Sequence, residues 1–472
     1  MSKDDSKRYL ILKDKRIYRG LFILALPIML NNFIKTIHDV VDIIFVSKVV
    51  EDSASGVSAI STTFPVIFFF ISLGIGLSIA GTALISQLVG SKQIEQAKIY
   101  ATNLVILSII IGVTLTLLGF FGAPHIMKLM GAEGYLLEKS VIYLRIRSLE
   151  LTFLFIFFAY QSIRQSTGDT VSPVKYGVIT ILLNIILSPI LIMVLDMGVE
   201  GAAIATVIAQ VAIAPFIVHK LFKSDSDLTI SLKRFKIKKS VSKQLIETGV
   251  PAAFGQAITA IGFAFLTSIL IHKFSYSYID VNTGLEMVNN DVVGAFSVGN
   301  RMSSLALHPV MAIGGVLAAY IGQNIGNLNI ERAKDSFKKA LILSLVIMAV
   351  LSLALMPLRG ALASIFYTRG TEVFDLTTKY MFFLLIGLPL MAIFQAFLGA
   401  FNGTGKTTYT FIVSITRLWG LRIPVILLLI YVLDFGPKGV WTGMLISNFG
   451  IAFIGYFFYR KLDFKPKVHL DI

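Results

Sequence analysis

Long apolar stretches separated by short polar turns recur along the whole chain. They fall at roughly 18–46, 57–84, 99–122, 138–162, 171–195, 199–222, 245–272, 292–322, 336–357, 377–401, 408–433 and 438–459. A helix rises 1.5 Å per residue, so stretches of this length cross a hydrocarbon core of about 30 Å. The pattern therefore predicts twelve transmembrane helices.

The second half of the chain repeats the first. Three pairs of segments match at offsets of 236 to 238 residues: ISQLVGSKQIEQAK (85–98) with IGQNIGNLNIERAK (321–334), STGDT (166–170) with GTGKT (403–407), and VLDMGVEGA (194–202) with VLDFGPKGV (432–440). Because each half holds six helices, both halves insert with the same orientation. We predict an all-α membrane protein with two pseudo-symmetric six-helix lobes, related as parallel repeats, around a central cavity.

A basic linker at 223–244 separates the predicted N-terminal lobe (1–222) from the C-terminal lobe (245–472). Lys and Arg concentrate in the N-terminal tail, around this linker and after Tyr459. The positive-inside rule then places both termini and the linker in the cytoplasm, and the protein in the cell membrane.

The composition agrees with this class, since 56% of the residues are hydrophobic and the mean hydropathy is +0.80. A net charge of +15 would suggest nucleic acid in a soluble chain. Here the basic residues lie at segment ends, where anionic lipid attracts them, so we expect membrane lipid and no nucleic acid as a partner. The chain has no Cys, no complete phosphate-binding loop and no HExxH pair. We therefore expect neither an enzyme nor a cofactor.

The first apolar stretch carries unusual chemistry for a membrane span. Lys35, His38, Asp39 and Asp42 are spaced three or four residues apart, which places them on neighbouring rows of one helix face. Charge at membrane depth is costly unless it is paired or faces a wet cavity, and it commonly marks an ion pathway. Pro27 removes one backbone hydrogen bond earlier in the same helix and can bend it. We predict that this helix moves and that its titratable cluster takes part in binding.

Structural alternatives exist for each of these residues. Asp42 could form a buried ion pair with Lys35 that only fixes helix packing, and Asp39 could serve to hold Lys35. His38 could relay protons or be a hydrogen-bonded interior histidine. For Pro27, a kink is expected in either case, whether or not it takes part in gating.

Several segments, in order and spacing, resemble the multidrug and toxic compound extrusion (MATE) family of cation-coupled exporters. They are ALPIMLNN…HDVVDIIFVSK in the first helix, GIGLSIAGTALISQLVG in the second, RQSTGDTVSP and LLNIILSPILI in the fourth and fifth, MGVEGAAIATVIAQ in the sixth, and FSVGNRMSSLALHP (296–309) in the second lobe. The resemblance covers essentially the whole chain.

The resemblance implies roles for particular positions. Asp42 matches the family's main cation-responsive carboxylate, while Asn184 and Thr206 match positions that help to form a Na⁺ site. The family usually places an Asp where this chain has Ser188. One carboxylate is thus missing, and Lys35 could neutralise Asp42 or Asp39 without a metal. We therefore expect coupling to H⁺ rather than to Na⁺. If the protein is Na⁺-coupled, the metal ligands would be Asp42, Asn184 and Thr206.

The second lobe offers fewer candidates. Gln256 and Gln395 are the polar groups inside two of its helices, and with Arg301 they are weak candidates for the substrate cavity. Lacking acidic residues in these helices, the chain looks like the DinF-like branch, which couples through the N-terminal lobe. We interpret Arg417 and Arg422 as helix-end anchors or interhelical ties; arginines clustered in the cavity would instead indicate an anionic or zwitterionic substrate.

The expected function is export of organic small molecules, cationic or amphipathic, by antiport against H⁺ or Na⁺. The two lobes of a monomer would provide alternating access. The alternative is a lipid-linked saccharide flippase of the same superfamily, which would favour a cavity lined with several arginines.

Overall fold

The computed structural model describes residues 3–49, 53–224, 226–231, 236–279 and 286–470; at 3–5, 37–49, 53–58, 286 and 287 it describes the backbone only. The described chain is built from long helices joined by short turns. In chain order they are α1 Lys3–Leu12, α2 Ile17–Val49, α3 Ser53–Gly90, α4 Ile94–Leu129, α5 Gly134–Ser148, α6 Leu151–Ser166, α7 Val171–Pro189, α8 Gly198–Phe222, α9 Lys239–Phe274, α10 Asp291–Gly326, α11 Ile330–Leu355, α12 Arg359–Ala363, α13 Glu372–Gly403, α14 Thr407–Ile415, α15 Ile423–Leu427 and α16 Pro437–Arg460.

Eleven helical stretches in the described residues are long and apolar enough to span a membrane. The twelfth span is α5 followed by α6, which the turn at Leu149 and Glu150 divides into two shorter helices. The prediction of twelve helices in two pseudo-symmetric lobes is confirmed. The lobe boundaries at 222 and 245 stay a prediction.

Two small elements lie outside the predicted helices. Strands β1 Tyr276–Ile279 and β2 Glu286–Asn289 pair antiparallel between α9 and α10, with Tyr276 opposite Asn289. The N-terminal tail, which precedes the first predicted span, forms the short helix α1. The hairpin lies on the face opposite the two termini, which we call the distal face; the face with the termini is the terminal face.

The sequence repeat is also a repeat of backbone geometry. Lys92 and Leu328 both have positive φ angles, of 62° and 56°, and so do Asp196 and Asp434, of 51° and 49°. Non-glycine residues rarely adopt this conformation, so its recurrence at offsets of 236 and 238 residues reflects equivalent turns. A π-helical segment precedes each aspartate turn, at Ile190–Val194 and Leu428–Val432.

The two lobes meet closely at the terminal face. A Cβ atom added to Gly90 of α3 would collide with the Gln323 carbonyl of α10, and one added to Gly326 of α10 would collide with the Gln87 carbonyl of α3. These two reciprocal contacts require glycine because backbone lies against backbone. The Gln323 Nε2 atom donates to the Ser166 carbonyl at 2.7 Å, and Gln87 Nε2 approaches the Gly403 carbonyl at 3.5 Å. The lobe interface is therefore closed at this face.

Both tails cross this closed interface. In α1, Lys7 pairs with Asp169 at 2.7 Å, and the Ile11 carbonyl accepts a hydrogen bond from Arg332 Nε of α11 at 2.9 Å. In the C-terminal tail, the Lys467 N–H donates to Gln87 Oε1 at 2.8 Å. The tails thus connect elements of the two lobes in this conformation.

Candidate substrate and coupling sites

Three of the polar residues predicted in the N-terminal lobe form one cluster between α7 and α8. Asn184 Nδ2 donates to Thr206 Oγ1 at 3.0 Å, and Ser188 Oγ donates to Asn184 Oδ1 at 2.9 Å. Asn184 and Ser188 are buried, and Thr206 also donates to the Ala202 carbonyl. The resemblance implies that Asn184 and Thr206 share a site, and the two residues lie together here, while their role in cation binding stays a prediction. The cluster has amide and hydroxyl oxygens but no carboxylate of its own.

The side chains of Asp42, Asp39 and His38 lie outside the described residues, so the central coupling prediction concerns positions whose contacts are not described. Their backbone continues α2, which runs from Ile17 to Val49 with Pro27 inside it. This helix packs between α7 of its own lobe and α10 of the other. A change in its shape would therefore affect both lobes.

Lys35 is the last charged residue of α2 whose side chain the structure describes. It lies close enough to Glu150 and to His308 for their charges to interact. Next to it, Thr36 Oγ1 lies 3.4 Å from Nε2 of His308, which belongs to α10 of the second lobe. Titratable groups of both lobes thus converge beside the first helix.

Glu150 is a buried carboxylate that the sequence analysis did not single out. It is 4% exposed and pairs with Arg147, whose Nη2 lies 2.9 Å from Glu150 Oε1. Its position at the break between α5 and α6 places it within the fourth span. A glutamate inside a predicted apolar segment is itself a signal of function. That signal is present in the sequence, since Glu150 lies inside the apolar stretch 138–162.

Three adjoining cavities lie between the lobes and share lining residues. One of 230 Å³ lies between α3 and α6 of the first lobe and α9, α10 and α13 of the second, and one of 440 Å³ extends into the second lobe. A third, of 770 Å³, lies between α3, α9 and α10. Gln256 lines all three and Gln395 lines the first two. The structure therefore places two of the predicted cavity residues at the centre of the molecule.

Arg301 is placed differently from the prediction. It is exposed on α10 and lies near Tyr367, and it does not line any of these three cavities. The 440 Å³ cavity is instead lined by Arg417 and Arg422, which are 4% and 2% exposed. We call this cavity the arginine cavity. The expected role as an interhelical tie agrees with the contacts of Arg422, which donates to Ser447 and Asn448 of α16, while both arginines lie in the cavity wall rather than at a helix end.

The local backbone explains how both arginines reach one cavity. In a regular α-helix, residues five apart lie about 140° apart around the axis. Residues Thr416–Arg422 form a π-helical segment, whose hydrogen bonds join residues five apart, so Arg417 and Arg422 lie on nearly the same side. Pro424 follows closely and has no N–H to donate. Helical periodicity alone could not reveal this pair.

Aromatic rings surround the two guanidinium groups. Arg417 lies over the Phe394 ring at 4.2 Å, and Arg422 lies over the Phe263 ring at 5.7 Å. Tyr380 stacks on Trp441 at 4.2 Å along the same cavity wall. The arrangement can receive a molecule that has an apolar body and an acidic group.

Comparison with known proteins agrees with this architecture. The MatE family profile matches twice, at residues 27–190 and 264–428, once in each half of the chain. The probable multidrug resistance protein YoeA of Bacillus subtilis is 24% identical over 458 residues, covering 96% of this chain and 95% of that protein. The multidrug export protein MepA of Staphylococcus aureus is 25% identical over 432 residues, covering 92% and 91%.

A solved structure has the same fold. It is described as the outward-facing conformation of a multidrug resistance MATE family transporter, and it matches with a TM-score of 0.86, 25% identity and 96% coverage of both chains. These findings support the family, whereas the DinF-like branch stays a prediction. With the family profile matched in both lobes, this chain belongs to the MATE family of multidrug efflux transporters.

Proposed function

We propose that the protein exports amphipathic organic molecules across the cell membrane, driven by proton antiport. Substrate enters between the lobes from the cytoplasm, which we assign to the terminal face because Lys and Arg concentrate there. The chain acts as a monomer and does so without a catalytic step or a cofactor.

The observation that carries this proposal is the pair of interlobe contacts at the terminal face. Gly90 against Gln323 and Gly326 against Gln87 close that face, while the cavities lie between the lobes beyond it. Because the contacts are equivalent under the repeat, rocking one lobe against the other would break both together. This is the geometry that alternating access around a central site requires.

Coupling is assigned to the first helix. Protonation of Asp42 from outside would change the charge beside Lys35, and α2 could then bend at Pro27. Since α2 packs on both α7 and α10, the bend would narrow the first-lobe side of the cavity. The described members of the Asn184, Ser188 and Thr206 cluster supply amide and hydroxyl oxygens and no carboxylate, which favours H⁺ over Na⁺ as the coupling ion.

The lipid-linked saccharide flippase remains the second candidate, because two arginines line a cavity. The volume of that cavity, 440 Å³, lies within the range of small-molecule sites. A saccharide on a long lipid needs a larger space that opens to the bilayer. The volume therefore favours a small-molecule substrate.

The test is efflux from vesicles that contain the purified protein, under a pH gradient or a Na⁺ gradient imposed separately. Two fluorescent amphipaths are used, dansylcadaverine as the cation and dansylglycine as the anion. We expect efflux of at least one probe to follow the pH gradient and to be lost in Asp42→Asn. Asp463→Asn, an exposed carboxylate in the C-terminal tail, is the control and retains transport. Efflux that ignores both gradients and is unchanged in Asp42→Asn would overturn the antiport mechanism.

A further inference from the structure

We infer that the arginine cavity is a binding site for the acidic group of an amphipathic organic anion or zwitterion. This rests on the proposed function and gives it a substrate class. The inference departs from the expectation of cationic substrates, because two buried positive charges would repel a cation.

Among the described residues, Arg417 and Arg422 have no acidic counter-charge. Of the carboxylates that the structure describes, none forms an ion pair with Arg417 or Arg422. The two guanidinium groups are also close enough to each other for their charges to repel. Burying a charge without a partner is costly, so two adjacent buried cations indicate that another group compensates their charge.

Few of the N–H donors of Arg417 and Arg422 have an acceptor among the described residues. A guanidinium has five N–H donors. Arg422 donates through Nε to Ser447 Oγ at 3.0 Å and through Nη2 to Asn448 Oδ1 at 2.8 Å. Arg417 has one described acceptor, the Met391 sulfur at 3.1 Å from Nη1, and its Nε atom has no partner. A thioether is a weak acceptor, so Arg417 keeps most of its capacity to bind an anion.

Aromatic side chains form part of the remaining wall of the arginine cavity. Phe263, Phe394, Tyr380 and Trp441 line the same cavity as the two arginines. The cation–π contacts of the two arginines with Phe394 and Phe263 offset only part of the cost of burying their charges. A carboxylate or a similar planar anion matches the fork of a guanidinium, and the rings would hold an apolar body of the same ligand. The cavity therefore fits an aromatic or aliphatic carboxylate.

The two lobes differ in the charge of their buried polar clusters. The described side chains of the first-lobe cluster, Asn184, Ser188 and Thr206, are uncharged, whereas Arg422 follows Asn184 at the repeat offset of 238 residues and places a cation in the second lobe. The central Gln256 adjoins the arginine cavity and the two others, so a molecule held there remains connected to the space between the lobes.

The test is equilibrium binding to the purified full-length protein in nanodiscs, read by dansyl fluorescence with no gradient present. Three probes share one fluorophore: dansylglycine is an anion, dansylglycinamide is neutral and dansylcadaverine is a cation. We expect dansylglycine to bind at least tenfold more tightly than dansylglycinamide. In Arg417→Met and Arg422→Gln this preference disappears through loss of dansylglycine affinity, while dansylglycinamide affinity changes by less than threefold.

Two further variants guard against a simple loss of structure. Arg417→Lys keeps the charge and is expected to retain part of the preference for dansylglycine. Arg359→Gln, which removes a cation outside the three cavities, leaves all three affinities unchanged. Equal binding of the anionic and neutral probes to the wild type, no binding of dansylglycine, or an equal loss of both probes in the arginine variants would overturn the inference.

The binding and efflux experiments fail independently. If the antiport proposal is wrong, probe efflux ignores the gradients although the charge preference in binding remains. If the anion site is wrong, binding shows no charge preference although efflux can still follow the pH gradient.

Discussion

Gln87 and Gln323 occupy equivalent positions in the two lobes, and each side-chain amide points across the interface to a backbone carbonyl of the other lobe. Gln323 donates to Ser166 at 2.7 Å, whereas the Gln87 contact with Gly403 is longer, at 3.5 Å. Gln87 also accepts the Lys467 N–H of the C-terminal tail. Because both glutamines are fully buried, these bonds exist only while the terminal face is closed.

Replacing Gln323 by Leu should therefore shift the conformational equilibrium toward opening of the terminal face. The change leaves the buried Ser166 carbonyl without its donor, at a cost of about 1–3 kcal/mol in the closed state. A cost of about 1.4 kcal/mol changes a population ratio tenfold. Since the chain has no Cys, spin labels at Lys175→Cys and Lys406→Cys report the distance between the lobes without competing sites.

In that experiment Gln323→Leu should increase the population with a longer label distance, and Gln87→Leu should act in the same direction. Asn327→Ala, a change at an exposed residue of the following turn, is the control and should leave the distance distribution unchanged. An unchanged distribution in both glutamine variants would show that these bonds do not distinguish the two states.

Removing the charge of Glu150 should destabilise the protein. Glu150→Gln breaks the ion pair between Arg147 and Glu150, and breaking a buried ion pair typically costs about 3–5 kcal/mol. We expect a lower midpoint of thermal unfolding, followed by intrinsic fluorescence. The matched control is Glu95→Gln, where the carboxylate pairs with Lys98 at 2.9 Å but is 63% exposed, and the expected effect is below about 1 kcal/mol.

The double variant Arg147→Met/Glu150→Met separates the cost of breaking this ion pair from the net contribution of the pair to stability. Because both charges are removed together, its midpoint should lie above that of Glu150→Gln. If the double variant is less stable than the single one, the pair itself contributes net stability, and the expectation that removing both charges is less costly than breaking the pair is wrong.

The ion pair between Lys7 and Asp169 should make the attachment of α1 depend on pH. Burial raises the pKa of Asp169, but the hydrogen bonds from Lys7 and Ser172 outweigh it and hold this pKa below its usual range. A carboxyl with a lowered pKa contributes stability above its unfolded pKa of about 3.9, and this is lost as the pH falls through the folded pKa.

Asp169→Asn should accordingly lower thermal stability relative to the wild type at neutral pH, and the difference should vanish once the pH is below the folded pKa. Unfolding midpoints measured across this pH range test the sign. Asp463→Asn, which affects an exposed pair with Lys465, should show no such pH-dependent difference. A difference for Asp169→Asn that persists in acid would mean that the amide disturbs the loop for another reason.

Much of the fold follows from the sequence because hydrophobic length and the internal repeat are strong signals. Even the turns recur, as Asp196 and Asp434 show by their shared positive φ. The site was less accessible to prediction. Asn184 and Ser188 are four residues apart on one helix, so their contact follows from regular geometry. Arg417 and Arg422 share a cavity only because a π-helical segment rotates them together.

Ser188 is the position at which a carboxylate can be added to the first-lobe cluster of Asn184, Ser188 and Thr206. Ser188→Asp would place a carboxylate beside Asn184 and near Thr206, where oxygen ligands already converge. Hard cations bind oxygen ligands and gain from negative charge. We expect this variant to acquire Na⁺-stimulated efflux that the wild type lacks, measured in vesicles at a fixed pH with Na⁺ or K⁺ as the only varied cation. Ser188→Asn is the matched neutral control and should show no stimulation, which separates the charge from the added size. If Ser188→Asp stays indifferent to Na⁺ while it remains folded and H⁺-driven, the cluster is not a latent cation site and its hydrogen bonds serve to pack α7 against α8.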